Sequence, residues 1–189
     1  MRDYIKKIVE KLVASAFNAL LKAKLGRYGI SLILTSAMNS RKTVIHNQTQ
    51  FAFAVPNSLN YFRADTFSSK EPETLEWIDQ IPKGSVFWDV GANVGLYSCY
   101  AAKARNCRVF SFEPSIFNLE LLARNIRLND LVEKVTIIPL PLSSSLHFSS
   151  LNMTSTEWGG ALSTFGESYG DDGKEMSQIF EFSTVGISM

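Results

Sequence analysis

The sequence predicts an α/β fold: a parallel sheet with helices on both faces, preceded by a helical N-terminal extension. Three observations predict it. Residues 86–139 alternate strand, helix, strand, helix, strand, the order that yields a parallel sheet with right-handed crossovers. The first of these strands, Val86-Phe87-Trp88-Asp89-Val90, is nearly all apolar, as a strand covered on both faces should be. A glycine-containing turn, Asp89 to Gly95, follows it, and an acidic residue, Glu113, ends the next strand.

Bulk properties bound the reading. A chain of 189 residues has room for one domain plus an extension. With 46% hydrophobic and 20% charged residues, the composition is that of a globular protein rather than a disordered or fibrous one. The net charge of +1 conceals an asymmetry, because Arg2, Lys6, Lys7, Lys11, Lys22, Lys24 and Arg27 face only Asp3 and Glu10 in the first stretch. A basic end of this kind favours anionic membrane or nucleic acid, or is a solvated helix face. The solvated face is the expectation, and nucleic acid is not an expected partner, since no motif for it is present. Cys99 and Cys107, the only cysteines, lack metal-ligand spacing and read as reduced packing residues of a cytoplasmic protein. No metal site is expected. No apolar run approaches the roughly 20 residues that cross a bilayer. A secretory signal is a rival reading of Lys6 and Lys7 before the apolar run 12–21, but Glu10, Lys11 and Asn18 interrupt it.

Taken in order, Ile5, Ile8, Val9, Leu12, Val13, Ala16, Phe17, Leu20 and Leu21 recur at three- and four-residue intervals and form one stripe of a helix. Lys6, Lys7, Glu10, Lys11, Ser15, Asn18 and Lys22 take the opposite face. The stripe is expected to pack on the rest of the fold or on a partner; peripheral contact with a membrane surface through residues 5–22 is the rival reading. Gly26 and Gly29 are expected to end this helix and residues 30–37 to form a short second one. Residues 43–55 read as a strand pair turning at 47–49, closed by Pro56 and Asn57. Glu71-Pro72-Glu73 opens a helix, with Pro72 in the first turn, where a missing N–H costs nothing.

The alternating segment then gives strand 86–90, helix 95–104, strand 108–113, helix 116–129 and strand 135–139. Residues 143–172, rich in Ser, Thr and Gly, read as loops or a hairpin. The expected organisation is an extension over 1–42, a lead-in strand pair and helix over 43–80, and the catalytic-type domain over 81–189.

The turn Asp89-Val90-Gly91-Ala92-Asn93-Val94-Gly95 lies between a buried strand and a helix, where backbone N–H groups meet a polar ligand and small residues let it come close. Asn93 stands where a dinucleotide fingerprint would have its second glycine, so a pyrophosphate loop fits poorly. Glu113, eighteen positions after Gly95, is placed to accept the hydroxyl protons of a ribose, and Pro114 turns the chain after it.

The strings 86–98 (VFWDVGANVGLYS) and Phe112-Glu113-Pro114-Ser115 resemble the FkbM family of methyltransferases. The likeness extends to Arg63-Ala64-Asp65-Thr66-Phe67, residues 71–77, Leu142-Ser143-Ser144 and Gly159-Gly160-Ala161-Leu162, and covers roughly residues 45–189. The resemblance implies a Rossmann-like class I methyltransferase using S-adenosyl-L-methionine. Gly91, Ala92, Asn93 and Gly95 would line the methionine end of the cofactor, and Asp89 would orient that loop or the amino group. Glu113, followed by Pro114, would hold the ribose, and Leu142 and Ser143 would pass near the adenine.

Relatives of this kind methylate a hydroxyl oxygen on sugars, lipids or secondary metabolites, so a small-molecule or glycan hydroxyl acceptor is implied, with the enzyme supplying position and water exclusion. No residue reads as the catalytic base: His46 and His147 are isolated. A class I sheet continues past its third strand, and residues 180–188 read as approaching the fourth, which would pair beside strand 86–90. The chain therefore reads as a fragment with half a pocket, and strand 86–90 as an exposed edge open to self-association. Two other classes stand beside the enzyme: a non-catalytic remnant or interaction module using the basic helix, and a nucleotide-dependent oxidoreductase, against which Asn93 argues.

Overall fold

A computed structural model describes residues 2–170 and 173–188. Asp171 and Asp172, inside the expected loop region, Met189, and the side chains of Arg2, Asp3 and Lys6 lie outside the described residues. The chain divides after Ser40 into two compact units.

The first unit is two helices, α1 (Arg2–Lys22) and α2 (Lys24–Met38). Contrary to expectation, Gly26 and Gly29 do not end the first helix; both lie inside α2, and the break is at Ala23, whose backbone is extended. Gly26 serves close approach instead, for a Cβ there would lie 2.1 Å from the Leu20 carbonyl oxygen. Arg27 Nη1 donates to the exposed Leu21 carbonyl at 2.9 Å, satisfying an end of α1 that has no partner within the helix. No helix among the described residues is long and apolar enough to cross a membrane.

The second unit opens with a hairpin, β1 (Arg41–His46) and β2 (Thr49–Ala54). It is antiparallel, with His46 opposite Thr49. Its two turn residues, Asn47 and Gln48, both have positive φ, the geometry whose twist matches the flanking strands. Where Pro56 and Asn57 were expected only to close the hairpin, a helix follows, α3 (Ser58–Asp65), capped by the Asn57 side chain accepting from the Asn60 amide. Next comes α4 (Pro72–Gln80), with Pro72 in its first turn.

The Rossmann-like core follows as expected: β3 (Val86–Val90), α5 (Leu96–Ala104), β4 (Arg108–Phe112), α6 (Ile116–Leu128) and β5 (Val135–Ile138). The strands form a parallel sheet in the order β3-β4-β5, with Asp89 level with Ser111. Phe87 and Val109 join one buried cluster with Cys99, Tyr100 and Leu122 of the helices and Phe51, Phe53 and Leu75 of the preceding elements. Cys99 is fully buried, and that burial pushes its thiol up to about 12. On the alternate positions of β3, Val86, Trp88 and Val90 are exposed at 61%, 44% and 61%, so the helices of this unit leave one apolar face of the strand uncovered.

The remainder is a second sheet, in the order β7-β6-β8, made of β6 (His147–Met153), β7 (Ser163–Phe165) and β8 (Phe180–Gly186). Residues 143–172 thus contain two strands. Residues 180–188, expected to approach a fourth strand of the parallel sheet, instead supply β8, which pairs antiparallel with β6 along seven positions, His147 opposite Gly186 to Met153 opposite Phe180. Alternation of side chains marks a strand but does not name its neighbour.

Candidate functional site

The turn after β3 is built from three left-handed residues, Gly91 (φ 76°), Asn93 (φ 52°) and Gly95 (φ 79°). Glycine takes this conformation freely, and asparagine is among the few others that do. The amides of Gly91 and Ala92 both donate to the Phe112 carbonyl, at 2.9 and 3.0 Å, which ties the turn to the end of β4. The two glycines differ in surroundings. A Cβ on Gly91 would meet nothing within 4 Å, whereas one on Gly95 would lie 2.3 Å from Leu122 Cδ1. Gly91 faces open space, and Gly95 lets α5 and α6 close together.

Glu113 is 5% exposed, and its carboxylate is held between two loops. Oε2 accepts from the Asn93 amide at 2.6 Å, and Oε1 accepts from the Ser115 amide at 2.8 Å and from Asn118 Nδ2 at 3.5 Å. Burial raises its pKa above the usual carboxylate value, against the pull of these hydrogen bonds. Asp89 has a different task. It accepts from the Ser98 hydroxyl, which lies 2.6 Å from the Ser111 hydroxyl; with the Ser98 proton committed to Asp89, Ser111 donates to Ser98. This chain ties β3, α5 and β4 together, and burial raises the Asp89 pKa as well.

A second loop closes over the first. Gly160 places its carbonyl 2.7 Å from Asn93 Nδ2 and 3.0 Å from Asn118 Nδ2. The Gly159 amide donates to Asn118 Oδ1 at 2.9 Å, and the Gly159 carbonyl accepts from Arg63 Nη2 at 2.6 Å. Asn57 and Asn60 hold the Trp158 carbonyl at 3.0 and 2.7 Å. The lead-in helix α3 and its cap thus fix the position of this loop.

Between the two loops lies a cavity of about 310 Å³. Gly91, Asn93, Glu113, Pro114 and Asn118 form one wall; Leu140 to Leu142, Leu151, Gly160 to Ser163 and Phe165 form the other. Of the residues singled out in the sequence, Gly91, Asn93, Glu113, Pro114 and Leu142 therefore share one cavity. Asp89, Ala92, Gly95 and Ser143 stand behind the wall: Ala92 is buried, and the Ser143 amide donates to the Ile187 carbonyl at 2.8 Å. Neither histidine lines the cavity. His46 packs edge-on against Phe67 and Tyr100, and His147 Nδ1 sits 3.0 Å from the Ser145 carbonyl.

Asn118 and the apolar wall were not read from the sequence. Asn118 had a signal: it falls with Leu121, Leu122, Asn125 and Ile126 on the buried stripe of α6, and a buried amide needs partners.

No family model matches the chain. A stretch of 69 residues is 36% identical to methyltransferase sdnD of Sordaria araneosa, covering 36% of this chain and 27% of that protein. The match thus spans about a quarter of that relative's length. Among solved structures, TYW2 of Pyrococcus horikoshii in complex with MeSAdo aligns over 55% of this chain and 37% of its own, at 16% identity and a TM-score of 0.41. Precorrin-6y C5,15-methyltransferase of Geobacter metallireducens aligns over 36% of each chain, at 25% identity and a TM-score of 0.33.

Proposed function

We propose that the chain carries the cofactor-binding part of an S-adenosylmethionine-dependent methyltransferase of the FkbM kind, acting on a hydroxyl oxygen of a sugar, lipid or secondary metabolite. The observation that carries this reading is the Glu113 carboxylate, at the end of β4, bonded to the Asn93 amide in the turn after β3, at the wall of the cavity. The stretch shared with methyltransferase sdnD supports the reaction class.

The residues fit an adenosyl ligand. Open space over Gly91 leaves room at the turn, and the cavity of about 310 Å³ is at the small end of ligand sites. A carboxylate offers about four acceptor positions. Asn93, Ser115 and Asn118 use three on Glu113, and the Asn118 contact, the longest at 3.5 Å, is the one a ribose hydroxyl displaces most readily. Glu113 then accepts two hydroxyls while keeping both backbone amides. The apolar wall, from Leu142 to Phe165, suits a flat base.

When bound, S-adenosylmethionine supplies an electrophilic methyl group on a sulfonium. The chain's own residues orient the ligand, through Glu113 and the turn at Asn93, and exclude water, through the loop at Gly160.

Isothermal titration of the full chain with S-adenosylhomocysteine and, separately, NADH tests the reading. Saturable binding of the former with none of the latter is expected. Tighter binding of NADH would turn the site into that of an oxidoreductase.

A further inference from the structure

The unit formed by α1 and α2 carries features that the cavity does not use. Of the 29 large hydrophobic side chains exposed among the described residues, 14 lie between Tyr4 and Leu34, in about a sixth of the chain. On α1 they include Ile5, Val9, Leu12 and Val13, each more than half exposed, and they run along the stripe that periodicity marks. Packing of α2 does not cover them. A soluble surface seldom keeps so much contiguous apolar area without a use for it.

Charge says what the use is. Residues 2–40 hold seven Lys and Arg against Asp3 and Glu10, and no further acidic residue occurs before Asp65. The unit is therefore +5 in a chain of net +1, which leaves the remainder at −4. Lys7, Lys11 and Lys22 fall on one side of α1, opposite the stripe, at spacings of four and eleven residues that each return near the same face.

We infer that α1 and α2 form a docking element for a bilayer surface bearing anionic headgroups, with α1 lying in the plane of the interface. A 21-residue helix is about 31 Å long, enough to cross, but its charged face forbids crossing. Lying flat, it sinks the aliphatic stripe to the headgroup boundary while the lysines meet lipid phosphates. Two other occupants fit less well. A second copy would bury the stripe but set +5 against +5. A nucleic acid would draw the lysines but has no place for an aliphatic stripe, its usual apolar contacts being aromatic stacking.

Flotation of the full chain with vesicles of phosphatidylcholine, with and without phosphatidylglycerol, tests the inference independently of cofactor binding. Recovery at least about tenfold higher on the anionic vesicles, falling with added salt, is expected. Leu12→Glu should abolish recovery on both. The double variant Lys7→Glu, Lys11→Glu, changed only on the exposed polar face, should lose the anionic preference with thermal unfolding unaltered. Equal recovery on both vesicle types, a lipid-independent dimer that Leu12→Glu dissolves, or RNA binding that survives Leu12→Glu would each overturn the assignment.

Discussion

The two walls of the cavity are made on opposite principles. The wall at the ends of β3 and β4 carries the polar side chains: Asn93, Glu113 and Asn118 each reach backbone groups of a neighbouring loop. The facing wall, from Leu140 to Phe165, is mostly apolar and includes Leu151, Ser163 and Phe165 of the antiparallel sheet, where Leu151 is 1% exposed. One wall holds direction, because hydrogen bonds demand geometry; the other holds area, because apolar burial does not. On the proposed reading, the polar wall selects the ligand, while the apolar wall chiefly keeps the unit folded.

Two substitutions set these roles apart. Glu113→Ala orphans the buried Ser115 amide and the half-buried Asn93 amide, which costs about 2–4 kcal/mol in urea unfolding, and affinity for S-adenosylhomocysteine should fall about 100-fold. Leu151→Ala should cost about 3 kcal/mol of stability by leaving a void, with affinity changed only a few-fold once the variant is folded. Equal losses of affinity in both would erase the distinction between the walls.

A smaller contrast lies within the turn after β3. Gly95→Ala combines left-handed strain with a methyl pressed on Leu122, so about 2–3 kcal/mol is expected. Gly91→Ala carries the strain alone, about 1 kcal/mol, but its methyl projects into open space at the turn and should weaken ligand binding about tenfold by calorimetry. Similar stability losses for both would mean that Leu122 yields without cost.

Much of this was legible because local chemistry is written in short strings. Pro72 marks a helix start, β-branched and aromatic runs on either side of 47–49 mark the β1–β2 hairpin, though Thr49 belongs to the strand and not to the turn, and the run of apolar strand, glycine turn and acidic strand end marks the parallel core. What escaped depends on partners distant in sequence. Gly26 looks like a helix terminator until the Leu20 carbonyl is seen beside it. Residues 180–188 look like any strand, and only the fold shows them paired with β6. Asn57 was read as the end of a hairpin, although an asparagine before a helical run is also a cap, and its bond to the Asn60 amide makes it one. The loop at Gly159 and Gly160 was noticed as a likeness, but its place over the cavity comes from Arg63, Asn93 and Asn118 together.

The smallest expected effect concerns the carboxylates themselves. Burial lifts the pKa of Asp89 above its unfolded value, so the folded chain binds that proton more tightly than the unfolded chain does. The resulting stability is complete below the ordinary aspartate value of about 4 and is lost as pH rises through the raised folded value. Asp89→Asn keeps an acceptor for the Ser98 hydroxyl but removes the titration. Its stability relative to wild type should therefore improve as pH rises from about 4 toward neutrality, measured by urea unfolding at a series of pH values. A difference moving the other way would mean that the bond from Ser98 outweighs burial, and that Asp89 is held as a favourable charge, not a tolerated one.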